Sequence, residues 1–153
     1  MSRQYKRALI LLLTLALAGC GSASQAPPSE IHYQGPTGIR VGFDPDVTQT
    51  DPTNYERVFV DTQDCILRHG YITETVIGPV VRVVSFKPNG YNGFVDWDTG
   101  QITINSDGWI DHEMVHYILW ATGFDNSRNS AHDHQAFTQC STAIGLINSV
   151  TEI

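Results

Sequence analysis

Three stretches of the chain alternate apolar and polar side chains with helical spacing, and several shorter ones alternate with the period of a strand. Gly38–Phe43 (GIRVGF) reads as a first strand. Asp51-Pro52-Thr53 has the look of a helix start, with proline in the first turn. Over 54–68, Tyr55, Val58, Phe59, Thr62, Cys65 and Ile66 fall on one helical face, and Gly70 ends the helix. Tyr71–Ile77 and Val80–Phe86 are rich in β-formers, split by Gly78-Pro79, and Lys87-Pro88-Asn89-Gly90 is a turn. Phe94–Trp97, Asp98-Thr99-Gly100 and Gln101–Asn105 read as a hairpin. A second helix spans Trp109–Ala121 and stops at Gly123. A last one runs from about Asp133 to Asn148, with Phe137, Cys140, Ile144 and Ile147 inward. The predicted class is α+β: a small, mostly antiparallel sheet packed against an N-terminal helix, a central helix and a C-terminal helix.

The first twenty residues obey a different pattern. Arg3, Lys6 and Arg7 precede an apolar run, Ala8–Ala18, that is too short for a stable membrane span. The run closes on Leu17-Ala18-Gly19-Cys20, which resembles a bacterial lipobox. The resemblance implies a signal peptide over 1–19, cleavage before Cys20, and lipid on that cysteine. Gly rather than Asp at position 21 points to the outer membrane, facing the periplasm, in a Gram-negative cell. Residues 20–30, rich in Ser, Ala, Gln and Pro, read as a flexible tether, leaving 31–153 as the folded domain.

Composition sharpens this picture at two points. The 153 residues carry 16 acidic and 9 basic side chains. Three of the nine basic residues lie in the leader, so the mature chain keeps six, and its net charge is −10. Such a surface excludes nucleic acid as partner and disfavours docking on anionic lipid through side chains. Cys65 and Cys140 remain once Cys20 is lipidated, an even pair in an oxidising compartment, so a disulfide is expected between them. The chain is treated as a monomer.

The candidate chemistry lies in the second helix, in His112-Glu113-Met114-Val115-His116. Histidines four apart on a helix share a face and can grip one Zn²⁺. Glu113 is left to take a proton from zinc-bound water. Val115, Ile118 and Leu119 anchor the helix in the core. Catalytic zinc takes three protein ligands as a rule, so the chain must return with a third. His132, His134, Asp125, Asp133 and Glu152 are the downstream candidates. His132, placed just ahead of a helix capped by Asp133, is favoured, with His134 as the alternative. The unused histidine, or Asp133, would orient a ligand. Tyr117, Tyr91, Arg128 and the spare histidine are the possible oxyanion donors, and Tyr117 is better suited to packing. Trp97, Trp109 and Trp120 could line a groove or fill the core.

At these residues the chain resembles the zincin metallopeptidases, and more narrowly small bacterial lipoproteins with a minimal zincin core. That pattern continues from the HExxH motif through a glycine-containing turn to His132 and then Phe137-Thr138-Gln139-Cys140. Leu119 and Thr122 stand where a metzincin has Gly and His, no Met-turn follows, and no helical Glu suits a gluzincin. The resemblance implies a zinc-dependent hydrolase, a metallopeptidase with one zinc ion and a peptide or protein substrate, held at the cell envelope by its lipid. Gly100–Asn105 fits equally the edge strand lining such a cleft and an interior hairpin strand. Two other functions stay open. The domain could keep zinc for structure and serve as a binding or assembly module, or it could be an amidase acting on cell-wall material.

Overall fold

The first long helix forms where the pattern puts it. A computed structural model, which describes residues 26–124 and 131–141, has α1 at Thr53–Arg68. Asp51 accepts from the backbone N–H and the hydroxyl of Thr53, tying down the first turn (3.0 and 2.7 Å). The expected face is the buried one: Tyr55, Val58, Phe59, Thr62, Cys65 and Ile66 all pack inward. The second helix, α2, spans Ile110–Ala121 and sinks Met114, Val115, Ile118 and Leu119 into the core. The last described helix, α3, is Gln135–Cys140. The expected continuation to Asn148, with Ile144 and Ile147, lies outside the described residues, as do Asp125, Arg128 and Glu152.

Five strands make one sheet: β1 (Tyr33–Gln34), β2 (Arg40–Phe43), β3 (Val80–Val83), β4 (Gly93–Val95) and β5 (Ile102–Ile104), in the order β1-β2-β3-β5-β4. The expected, mostly antiparallel sheet is corrected here. β2 pairs β3 in parallel and β3 pairs β5 in parallel; only β1 and β4, at the two edges, run antiparallel to their neighbours. The cause is connectivity. Helix α1 is the crossover between β2 and β3, and a crossover returns the chain in the same direction. The hairpin forms as expected, but its second arm, β5, inserts beside β3 and pushes β4 to the edge.

One smaller expectation fails. No strand forms over Tyr71–Ile77, although Ile72 is buried. This segment's backbone is held by side chains: Gln63 accepts from Val76 N–H (2.6 Å), and Tyr117 donates to the Ile77 carbonyl (2.7 Å). The stretch 20–30, expected as tether, is partly docked on the sheet. The Ala26 carbonyl accepts from Arg82 (3.1 Å) and Gln101 (3.4 Å), and Pro28 is buried. Gly42 makes room for it, since a Cβ there would come within 2.4 Å of Pro28 Cβ and of the Glu30 carbonyl.

The opposite face of the sheet takes the helices. Two cross-strand rows lie on it: Val41–Val81–Ile102–Val95 and Phe43–Val83–Ile104–Gly93. Every side chain in those rows is buried, and together with the inner faces of α1 and α2 they form one core. The rows end at β4, where the second finishes in a residue with no side chain. The C-terminal segment is stapled back onto α1 by the Cys65–Cys140 disulfide, with Cα atoms 5.7 Å apart. Tyr71 adds a hydrogen bond from its hydroxyl to the Gln139 side chain (2.7 Å). Among the described residues, no helix is long and apolar enough to cross a membrane.

Candidate metal centre

Helical spacing brings His112 and His116 onto one face of α2, with their ring centroids 4.9 Å apart. The chain returns through a short turn, Ala131–Asp133, and lays His132 across them. Nε2 of His132 lies 3.2 Å from Nε2 of His112 and 3.2 Å from Nε2 of His116. Two ligand nitrogens about 2.05 Å from a tetrahedral zinc stand about 3.3 Å from each other. The spacing is therefore that of a shared ion. It suits hydrogen bonding poorly, because a neutral imidazole nitrogen carries either one proton or one lone pair, not one for each neighbour. An all-imidazole donor set of three is also what zinc chemistry takes.

Burial prepares the ligands electrically. It is the largest cause holding the His116 imidazole down to about 3, with the neighbouring His112 and His132 adding to it. His112 is lowered as well, by burial first and by His132 second. Without metal both rings are neutral at physiological pH, the protonation state a metal ligand requires. Glu113 moves the other way. It is 4% exposed, and burial, with a smaller contribution from Asp111, raises its carboxyl to about 8. A cation held by the three imidazoles would favour the ionised form.

Packing rather than hydrogen bonding orients the rings. Phe137, from α3, lies under all three, its centroid 5.1, 4.5 and 5.3 Å from those of His112, His116 and His132. Trp97 meets His116 edge-on at 5.9 Å, and Trp109 meets His112 edge-on at 6.2 Å. Nδ1 of His116 is buried without a hydrogen-bond partner among the described residues. The expected orienting carboxylate or spare histidine is therefore not at that atom.

His134 has a different task. Its Nδ1 accepts from Ala136 N–H (3.1 Å), which makes it the cap of α3, and its ring sits between Tyr71 and Phe124. It is not among the three converging histidines. The cap expected of Asp133 is thus supplied by His134, one residue later. Tyr117 is buried against Phe59 and Trp120 with its hydroxyl on the Ile77 carbonyl, so it faces away from the site. Trp120 serves the scaffold: its indole N–H donates to the Trp97 carbonyl (3.1 Å).

A cavity of about 440 Å³ opens beside the histidines. Its floor holds His112, Glu113, His116 and His132, and its walls are Trp97, Trp109 and the segment Gly90–Val95. Tyr91 therefore belongs to the site. The strand at its margin is β4, whereas β5, within Gly100–Asn105, lies inside the sheet between β3 and β4. The two arms of a hairpin carry similar alternation, and nothing within the hairpin says which arm pairs onward. Sequence reasoning missed Asn92, Gly93 and Phe94; the only signal was the pair of glycines in Gly90-Tyr91-Asn92-Gly93.

Comparison of the chain with family models, with curated proteins and with solved structures gives no match.

Proposed function

We propose that this protein is a zinc-dependent hydrolase that cleaves peptide bonds, its metal held by His112, His116 and His132. The observation that carries the reading is a convergence: three imidazoles meet within a cavity that also holds a buried carboxylate belonging to none of them. A purely structural metal site has no use for such a carboxylate, and it is most often closed by a fourth ligand. A zinc ion bound there supplies Lewis acidity and a water of lowered pKa. Glu113 takes the proton from the attacking water and returns it to the departing amine.

The edge strand supports a peptide rather than a small molecule as substrate. Asn92 and Asp96 bond to β5 (2.9 and 2.8 Å), so by alternation the N–H and C=O groups of Gly93 and Val95 point to the open side. Those groups suit an extended chain added as a further strand. Tyr91, Trp97 and Trp109 offer apolar surface for its side chains. The same reading keeps the protein at the bacterial envelope through lipid on Cys20, supported by the run ending in Leu17-Ala18-Gly19-Cys20.

The test is Glu113→Gln in soluble protein beginning at residue 21, assayed on casein, peptide libraries and muropeptides beside wild type. One zinc per chain is expected in both, with peptide turnover lost by at least about a hundredfold in the variant. Absent turnover in both would point instead to a zinc-bearing binding module, and equal turnover in both would remove Glu113 from the chemistry. Cleavage of muropeptides alone would make it a cell-wall amidase.

A further inference from the structure

We infer that Gly93 is the positioning residue for Glu113: the bare end of a sheet row is the seat of the carboxylate. The inference rests on the hydrolase reading above for its activity assay, though not for its geometry. Across the helix-facing side of the sheet, Phe43, Val83 and Ile104 each fill their place in the row with a buried side chain. The next place, at the edge, belongs to Gly93, and Glu113 of α2 occupies it. A Cβ on Gly93 would stand 2.8 Å from Oε1, 2.9 Å from Cγ and 3.1 Å from Cδ of Glu113. Carbon and oxygen atoms in contact need more room than that.

Backbone conformation does not demand this glycine. Gly93 is absent from the glycines at positive φ, unlike Gly100 in the same hairpin at +70°. The two differ in what they touch as well. A Cβ on Gly100 would come within 2.2 Å of the Trp120 ring, part of the scaffold. The three atoms nearest a Cβ on Gly93 all belong to the Glu113 side chain, so relief of the contact requires that side chain to turn. None of the described residues hydrogen-bonds the Glu113 carboxylate, so contact with β4 is what sets its place. The peptide groups of Gly93 meanwhile face the open edge, away from the added methyl. An alanine here is therefore accommodated by moving Glu113, with fold, metal and substrate-pairing edge left intact.

The decisive experiment is Gly93→Ala, alone and combined with Glu113→Gln. Metal-free melting temperature, zinc affinity, KM and kcat are measured, and the crystal structure is solved. The single variant is expected to melt like wild type, to bind zinc within about twofold, and to keep KM within about threefold. Its kcat falls by about 10- to 100-fold, the size that a displacement of about 1 Å imposes on a reacting group. In the Glu113→Gln background the same substitution changes kcat by less than about twofold, since it acts through the group already removed. Unchanged kcat in the single variant, loss of zinc, or a further large loss in the double variant would each overturn the inference. Should wild type itself prove inactive, the hydrolase reading fails and the crystal structure decides this one. A Glu113 carboxylate displaced from its wild-type place upholds it, and an unmoved one sinks it.

Discussion

Two trios of side chains pin the C-terminal segment to the helices, and they do it with different chemistry. At one end His132 meets His112 and His116 of α2; at the other Cys140 meets Cys65 of α1, with His69 alongside. Both have donor atoms close enough for a metal, within 4.8 Å. In the second trio, however, two of the three donors are spent on each other in the disulfide, and what remains is a staple. In the first, the three Nε2 atoms converge without a covalent bond between them, His132 Nε2 standing 3.2 Å from each of the other two. Proximity of ligand-type residues therefore says little by itself; what separates a site from a staple is whether the donors are already satisfied. The seven residues between His132 and Cys140 include Phe137, the ring packed against the histidines, so the staple also holds this support of the site.

The largest effect should come from removing a ligand. His132→Ala is expected to leave no zinc on the chain after dialysis, where wild type retains one ion. His134→Ala should keep that ion and lose about 1 kcal/mol of stability, the worth of a helix cap. Metal analysis and thermal melts of the two variants measure this directly. Zinc lost from the His134 variant instead would reverse the assignment of the third ligand.

Next in size is the staple. Closing a loop of 75 residues is worth about 4 kcal/mol in the chain-entropy account. Cys65→Ser with Cys140→Ser should lower the unfolding free energy by about 2–5 kcal/mol. Zinc should still bind one per chain, but about tenfold more weakly, because the ion must now order the segment that the disulfide had held. Chemical denaturation and zinc titration separate the two numbers. Unaltered zinc affinity would show that His132 is placed without help from α3.

How much of this was legible beforehand follows from what each feature depends on. The faces of α1 and α2, the HExxH pair and the disulfide partners depend on local spacing or on counting cysteines, and all three could be read from the residues alone. The sequence favours His132 over His134 by its place ahead of the helix. The structure shows that His134 is engaged by capping, a choice that turns on one residue of register. Strand order could not be read at all. The valines and isoleucines of β2, β3 and β5 are equally suited to parallel or antiparallel neighbours; the crossover through α1 decides for β2 and β3, and the choice of hairpin arm decides for β5. Gly93 was illegible for a similar reason: a glycine before Phe94 looks like turn punctuation until the sheet register sets it under Glu113.

A pH dependence belongs to the histidine end, since cysteines joined in a disulfide do not titrate. In the metal-free protein His116 is held down to about 3, and His112 is lowered, against about 6.5 in an unfolded chain. The unfolded chain therefore binds more protons, and the folded state loses stability as the pH falls through 6.5 towards 3. Glu113, raised to about 8 from 4.5, works in the opposite sense. Its folded carboxyl keeps a proton that the unfolded chain gives up, so stability falls as the pH rises from 4.5 through 8. Zinc-free Glu113→Gln should thus melt above zinc-free wild type at pH 9, and the gap should close as the pH approaches 4.5. Saturating zinc should abolish the gap at pH 9, because a cation beside the carboxylate removes the cost of ionising it. A gap that is the same at every pH would mean that Glu113 does not titrate as its burial requires, and its place beside the imidazoles would then need another explanation.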